Sequence, residues 1–412
     1  MSGPRAALAD DVELFVCAVV LPVVEPRSVK IAGHHLAYCT NVHPAESWPE
    51  TRAMLRREIP AVRARLVVGG ELPEGAPFAI GLRLSALAAH QLLDGNDLAE
   101  FKRWLNDTRT YVFTINGFPY GNFHGTRVKE RVFQPDWTSP ERVEYTKNLF
   151  RILAEIAEPG TSASVSTLPG SHKSFHPDEP VILRNLESFA GWLDDLSGKS
   201  GHDFHLGLEP EPFGWFENTE ETIAFFAKLA GGHPLRRRIG LNYDACHFAI
   251  GFDDARASLD RLKAAGIRIS KIHLSNALCF PLDDAASLAA IREFDEPTYF
   301  HQVVTRSSSG ELRRYADLPL FLADSDRETT GEARVHFHIP LDAEPAPPLA
   351  STRRQVIDVL DWCRKNPDAC SHFEIETYTW AVLPEPLRRS LTEQIAAEFR
   401  WVIPRFFSAP DL

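Results

Sequence analysis

The chain is poor in several features that would each direct its reading elsewhere. It has no excess of basic charge: 44 Lys and Arg stand against 56 Asp and Glu, a net charge of −12 over 412 residues. A general nucleic-acid or membrane-surface binder needs a basic face, so neither partner is expected. Cysteine is sparse. The six residues, at positions 17, 39, 246, 279, 363 and 370, form no CxxC and no paired spacing, which points to a reducing compartment and no disulfide framework. Long apolar runs are missing too. LFVCAVVLPVV (14–24) is too short to span a bilayer, contains Pro22, and follows Asp10, Asp11 and Glu13 where a signal peptide would be basic. The expected location is cytoplasmic, without membrane insertion. Finally, no GxGxxG opens a βαβ unit, and no GxxxxGK[ST], HExxH or GxSxG occurs, so nothing supports a nucleotide-cofactor enzyme or a serine hydrolase.

What is present is a folded, globular composition, 44% hydrophobic and 24% charged. From residue 35 short alternating runs precede helical stretches. HHLAYCTNVHP (34–44), APFAIGLRLS (76–85), TYVFTINGFP (110–119) and SASVSTLPGS (162–171) read as strands. Helices are expected near 48–67, 86–106, 140–157 and 181–196. Four more strands follow in HLGLEPEPFG (205–214), IGLNYDACHFAI (239–250), ISKIHLSNAL (269–278) and HFEIETYTW (372–380). Their helices fall near 219–229, 255–265, 353–365 and 387–406. Eight strand–helix units predict an α/β fold, a (β/α)8 TIM barrel. One face of each strand is apolar and the other small or polar, whereas an open sheet covered on both sides is apolar on both. The expected organisation is an N-terminal extension over 1–34 and a barrel over 35–412. A cap-like, β-rich insertion is expected after strand seven, at about 281–348, because that stretch is too long for a bare loop.

Parity points to a site. Alternate residues of a barrel strand point inward, and those at the carboxyl ends line the mouth. With Leu206 and Leu208 outward, Glu209 and Glu211 point in. Asp244 points in, with His247 just beyond it. His273 points in between Ile272 and Leu274, and Glu374 and Glu376 point in around Ile375. A structural salt bridge to Arg83 or Lys271 is the alternative for any one carboxylate. Four strands agreeing favours a divalent metal, Zn, Mn or Fe, because buried carboxylates need a counter-cation. The loop NGFPYGNFHG (116–125) offers Asn116, Tyr120 and His124 to a substrate. His336 and His338 share one face of RVHFHIP, His301 is similar, and Trp380 with Tyr378, Phe213 and Trp215 could wall a pocket. Lys129 and Lys173 are either anion-binding groups or solvated lysines.

YDACHFAIGF resembles the Asp-x-Cys-His segment of endonuclease IV and the wider xylose isomerase-like barrel superfamily. That resemblance implies metal ligands at Glu209, Asp244, His247, His273 and Glu376, with Glu211 and Glu374 as substitutes. Arg83 and Asn116 stand where a three-metal site would want histidines, so one or two metals are expected. Over about 35–405 the series YCTNVHPAESW, GLRLSA, YVFTINGFPYGNFHG, VKERVFQPDW, LEPEP, YDACH, KIHLSNAL and FEIETYTWAVLP resembles the EboE family of bacterial metabolite traffic proteins. This implies a role in secondary metabolism, with partners from the same gene cluster.

The expected activity is a metal-dependent isomerase or epimerase acting on a small sugar-like precursor, with Glu209 and Glu376 as the proton-exchanging pair. The alternatives are a non-catalytic metabolite-binding protein and a metal-dependent phosphoester hydrolase.

Overall fold

The computed structural model describes residues 30–121, 129–229 and 236–406. In chain order the strands are β1 (His35–Tyr38), β2 (Phe78–Arg83), β3 (Thr110–Asn116), β4 (Ser162–Thr167), β5 (Asp203–Leu208), β6 (Ile239–Asp244) and β7 (Ile269–Leu274). Then come β8 (Leu278–Pro281), β9 (Val303–Arg306), β10 (Leu312–Tyr315), β11 (Glu332–Val335), β12 (Ala350–Ser351) and β13 (His372–Ile375). β1–β7 and β13 form one all-parallel sheet in the order β1-β13-β7-β6-β5-β4-β3-β2. A parallel bridge between Cys39 and Gly81 brings its two edges together. The fold is a (β/α)8 barrel with an insertion after its seventh strand.

The helices that surround it are α1 (Trp48–Gly69), α2 (Ala86–Leu93), α3 (Asp97–Asp107), α4 (Pro140–Ile156), α5 (Glu179–Ser200), α6 (Thr219–Lys228), α7 (Ala245–Ile250) and α8 (Ala255–Ala264). Within the insertion lie α9 (Ala285–Ile291) and α10 (Leu318–Ala323), and the last two are α11 (Arg353–Lys365) and α12 (Leu391–Val402). The single helix expected over 86–106 is two. Asp94, Gly95 and Asn96 interrupt it, and Gly95 takes φ 65°, a left-handed turn that glycine accepts without strain.

Outward residues of the strands, among them Leu206, Leu241, Ile272 and Phe373, are buried against the helices. The barrel's base holds His35, Tyr111, Phe113, His205 and His372, ring against ring. Above this layer the interior residues are small: Ala37, Ala79, Gly81, Ser164, Ser166 and Gly207. Their size leaves room for long polar side chains entering from β7 and β13. At Gly81 a Cβ would overlap Glu374 Oε1, so any larger residue would displace that side chain.

β8–β12 form a separate antiparallel sheet, in the order β10-β9-β11-β8-β12, with its own apolar core of Leu278, Phe280, Val303, Val335, Phe337 and Ile339. RVHFHIP is strand only as far as Val335. Phe337 and Ile339 continue into the cap core, which turns His336 and His338 to the other side, toward the barrel mouth.

Candidate metal centre

β5 and β6 each end for a local reason that presents a carboxylate at the barrel mouth. β5 ends at Leu208; Glu209 still donates its N–H to the Thr167 carbonyl at 2.9 Å, and Pro210, which has no N–H, follows. β6 stops because Asp244 caps α7: its Oδ1 accepts from the N–H groups of Cys246 (2.8 Å) and His247 (3.1 Å) and from Ser275 Oγ (2.6 Å). The other oxygen, Oδ2, is buried with no hydrogen-bond partner. An orphaned, buried carboxylate oxygen is costly unless something positive meets it.

The ligand atoms of Glu209, Asp244, His273 and Glu376 all lie within 4.8 Å of one another, and all four residues are buried. His273 Nδ1 is 3.1 Å from Glu209 Oε1, 3.4 Å from Asp244 Oδ2 and 3.1 Å from Glu376 Oε2. Both glutamates are held by their second oxygen. Glu209 Oε2 accepts from Asn242 Nδ2 at 2.7 Å; Glu376 Oε1 accepts from Asn41 Nδ2 at 2.9 Å and Asn116 Nδ2 at 3.1 Å. Each carboxylate therefore turns one oxygen to the cluster. This is a three-oxygen, one-nitrogen donor set, which suits Mn, Fe or Zn.

Glu374 belongs to a different arrangement. Its Oε2 accepts from Lys271 Nζ (2.5 Å) and His273 Nε2 (2.8 Å), with Lys271 and Glu374 both inaccessible to solvent. Burial opposes its ionisation, yet Lys271 and His273 hold its pKa down at about 2. For this residue the salt-bridge alternative applies. The bond also directs an Nε2 proton of His273 to Glu374 and turns Nδ1 toward the cluster, as a carboxylate behind a metal-binding histidine does.

A second convergence lies beside the first. His247 Nδ1 faces the Pro210 carbonyl (2.8 Å), His336 Nδ1 faces Gln302 Oε1 (2.7 Å), and His338 Nδ1 faces the Glu376 carbonyl (2.8 Å). Carbonyl oxygens only accept, so each Nδ1 carries the proton and each Nε2 presents a lone pair. Those lone pairs meet: His336 Nε2 is 3.2 Å from His247 Nε2 and 3.1 Å from His338 Nε2. One proton joins only two of them, whereas a cation joins all three. Burial and the neighbouring His247 hold His336 well below the usual imidazole range, and burial lowers His338. Asp244, with His247 and His338, also has ligand atoms within 4.8 Å, as does Cys246 with His336 and His338.

The cluster's charge needs balance. Burial disfavours a proton on His273, but Glu376 and Glu209 outweigh it and raise that pKa well above 6.5; Asp244 and Glu211 do the same, less strongly, for His247. These protons occupy the place that a cation would take.

The cavity over the cluster has a volume of about 60 Å³. Glu209, Glu211, Asn116, His247, His336 and Glu376 line its floor, and Phe118, Tyr299, Phe300 and Tyr378 its walls. Burial pushes Glu211 up to about 8. Trp380 stands apart, between barrel and cap, donating to the Arg389 carbonyl. Trp215 bonds Glu179, and His301 supports the His336 carbonyl through Nδ1 at 3.0 Å. His124 lies outside the described residues. Lys129 pairs with Asp317, and Lys173 with Glu217 and Glu221. Arg83 bonds Glu46 and the carbonyls of Ala45 and Gly121.

Sequence reasoning passed over Asn41, Asn242, Gln302 and the wall residues Tyr299 and Phe300. Asn242 carried a signal, since it shares strand parity with Asp244, which was read as inward. Gln302, Tyr299 and Phe300 come from the cap and carried none.

No family model matches the chain, and no curated protein matches it. Solved structures with a similar architecture include an IOLI protein with a bound zinc atom (11% identical, covering 90% of this chain and 97% of that one, TM-score 0.47). An L-ribulose 3-epimerase is 12% identical, with 90% and 94% covered and a TM-score of 0.46. A xylose isomerase domain protein from Alicyclobacillus acidocaldarius is 11% identical, with 90% and 98% covered and a TM-score of 0.45. Likenesses this distant say nothing about chemistry, which rests on the side chains described above.

Proposed function

We propose that this chain is a divalent-metal-dependent isomerase or epimerase of a small hydroxy-carbonyl, sugar-like metabolite, working in an EboE-type metabolite-traffic setting. The convergence of Glu209, Asp244, His273 and Glu376 beneath a walled cavity is the observation that carries it. The motif series resembling EboE supports the pathway setting, in which the chain handles a secondary-metabolite precursor alongside proteins of the same bacterial gene cluster, in the cytoplasm. No helix among the described residues is long and apolar enough to cross a membrane.

A divalent ion held by the four residues supplies Lewis acidity to a substrate oxygen. Glu209 and Glu376 would take the proton from the carbon beside a carbonyl and return it. Return to the neighbouring carbon, with the hydroxyl proton passing to the former carbonyl oxygen, isomerises the substrate; return to the opposite face of the same carbon epimerises it. Asn242, Asn41 and Asn116 orient these carboxylates. Phe118, Tyr299, Phe300 and Tyr378 limit water in the cavity, while His336 reaches the substrate or, with His338, holds a second ion.

The three converging histidine nitrogens favour one other reading, two-metal phosphoester hydrolysis. Against it, Lys129 and Lys173 are already paired with carboxylates, which leaves neither free as an anion clamp.

The test starts with metal content by mass spectrometry on untagged protein, beside Asp244→Ala. At least one equivalent in the wild type, lost in the folded variant, is the expected result. Incubation of the loaded protein with hydroxy-ketone sugars in D2O then reads exchange at carbon. Exchange supports the isomerase, phosphodiester turnover without exchange the hydrolase, and tight binding without either a metabolite-binding protein. Absence of metal after reconstitution would overturn the reading.

A further inference from the structure

Glu398 sits on α12, outside the barrel wall, yet is only 2% exposed. A buried carboxyl where an apolar side chain would pack the helix as well is costly, so its hydrogen bonds must account for it. Its Oε1 accepts twice, from Thr377 Oγ1 at 2.6 Å and from the Leu341 N–H at 3.1 Å. Thr377 directly follows Glu376. Leu341 lies three residues beyond His338 on the cap segment. Nearer the site the same two segments meet again, where His338 Nδ1 donates to the Glu376 carbonyl and Thr379 Oγ1 to the His338 carbonyl. The first of these segments emerges from the barrel's last strand, and the second returns from a sheet with a core of its own. One oxygen on a helix fastens both.

We propose that Glu398 is a positioning residue that sets the separation of Glu376 from His338, and so couples the carboxylate cluster to the three-histidine cluster. It touches neither cluster and acts through Thr377 and Leu341. The role rests on the metal-centre reading above. Burial, with Asp342 nearby, pushes Glu398 up to about 8, so the group is mostly the neutral acid at neutral pH. A glutamine carbonyl can therefore stand in for Oε1 at both donors, whereas alanine or leucine cannot.

The test is calorimetric titration of metal-stripped protein with Zn²⁺ alone, on wild type, Glu398→Gln, Glu398→Ala and Thr377→Val. Circular dichroism and a melting curve on each variant check folding. Glu398→Gln should stay close to wild-type affinity. Glu398→Ala should lose roughly 10–100-fold, the usual cost of removing a group behind a metal ligand. Thr377→Val removes one of the two bonds while leaving Glu398 in place. It should fall between, and it carries the test if Glu398→Ala fails to fold. Wild-type affinity in a folded Glu398→Ala, or equal losses in the Gln and Ala variants, would overturn the positioning role alone. A wild-type protein that binds no Zn²⁺ would overturn the metal centre and this role with it.

Discussion

His338 donates through Nδ1 to the backbone carbonyl of Glu376 at 2.8 Å, joining the returning arm of the cap to the last strand of the barrel. The bond fixes the tautomer of His338 and registers the cap against the residue that closes the carboxylate cluster. The two clusters are therefore one structure, and disturbing either should be felt in the other.

Asp244→Asn separates two duties of that residue. The amide oxygen can still accept from the N–H groups that begin α7, so folding should be retained. The orphaned anionic oxygen is lost, and metal affinity should fall by more than the roughly 10–100-fold cost of removing an outer partner. Metal content and a melting curve, measured together, check this.

Asn242→Leu removes the amide that holds Glu209 Oε2. Metal affinity should weaken by roughly 10–100-fold with little change in secondary structure. Unchanged affinity would show that Glu209 needs no support from Asn242.

Lys271→Met takes the lysine from buried Glu374 and leaves it only the hydrogen bond from His273 Nε2. Removing one partner of a buried ion pair costs about 3–5 kcal/mol, whereas replacing both with apolar groups is often neutral. Chemical denaturation should show the single variant strongly destabilised and Lys271→Met with Glu374→Leu recovering much of the loss.

Glu398 predicts a pH dependence. Its folded pKa, about 8, exceeds the ordinary 4.5 of a free glutamate, so the folded state holds the extra proton. Stability from this group is present at low pH and is lost as pH rises from about 4.5 to about 8. The groups around it are Thr377, Gln394, the Leu341 N–H and the carboxylate of Asp342, which is itself paired with Arg389. The stability difference between wild type and Glu398→Gln, followed by denaturant midpoint against pH, should decline across that window. A flat difference would show that Glu398 titrates normally.

The alternation of eight strand and helix segments determined the barrel, and strand parity the inward set at its mouth. The period of two is imposed by the backbone, so Glu209, Glu211, Asp244, His273, Glu374 and Glu376 read as inward from the sequence, and the family resemblance singled out Glu209 and Glu376. Parity could not choose within Glu209 and Glu211 or within Glu374 and Glu376. Residues two apart share a face and differ only in depth, by about 6–7 Å along the strand. Depth was decided by the neighbouring strand. β13 pairs with β7 so that Glu374 lies beside His273, within reach of Lys271 and over the space left by Gly81, and Glu376 rises one step higher into the cluster. Nor could the sequence aim His336 and His338. Their alternation with Phe337 and Ile339 says that two faces exist, but which face meets the mouth depends on how the cap core packs. The protein's own sequence thus specified what each strand presents, while contacts between elements distant in the chain decided which of those groups meet.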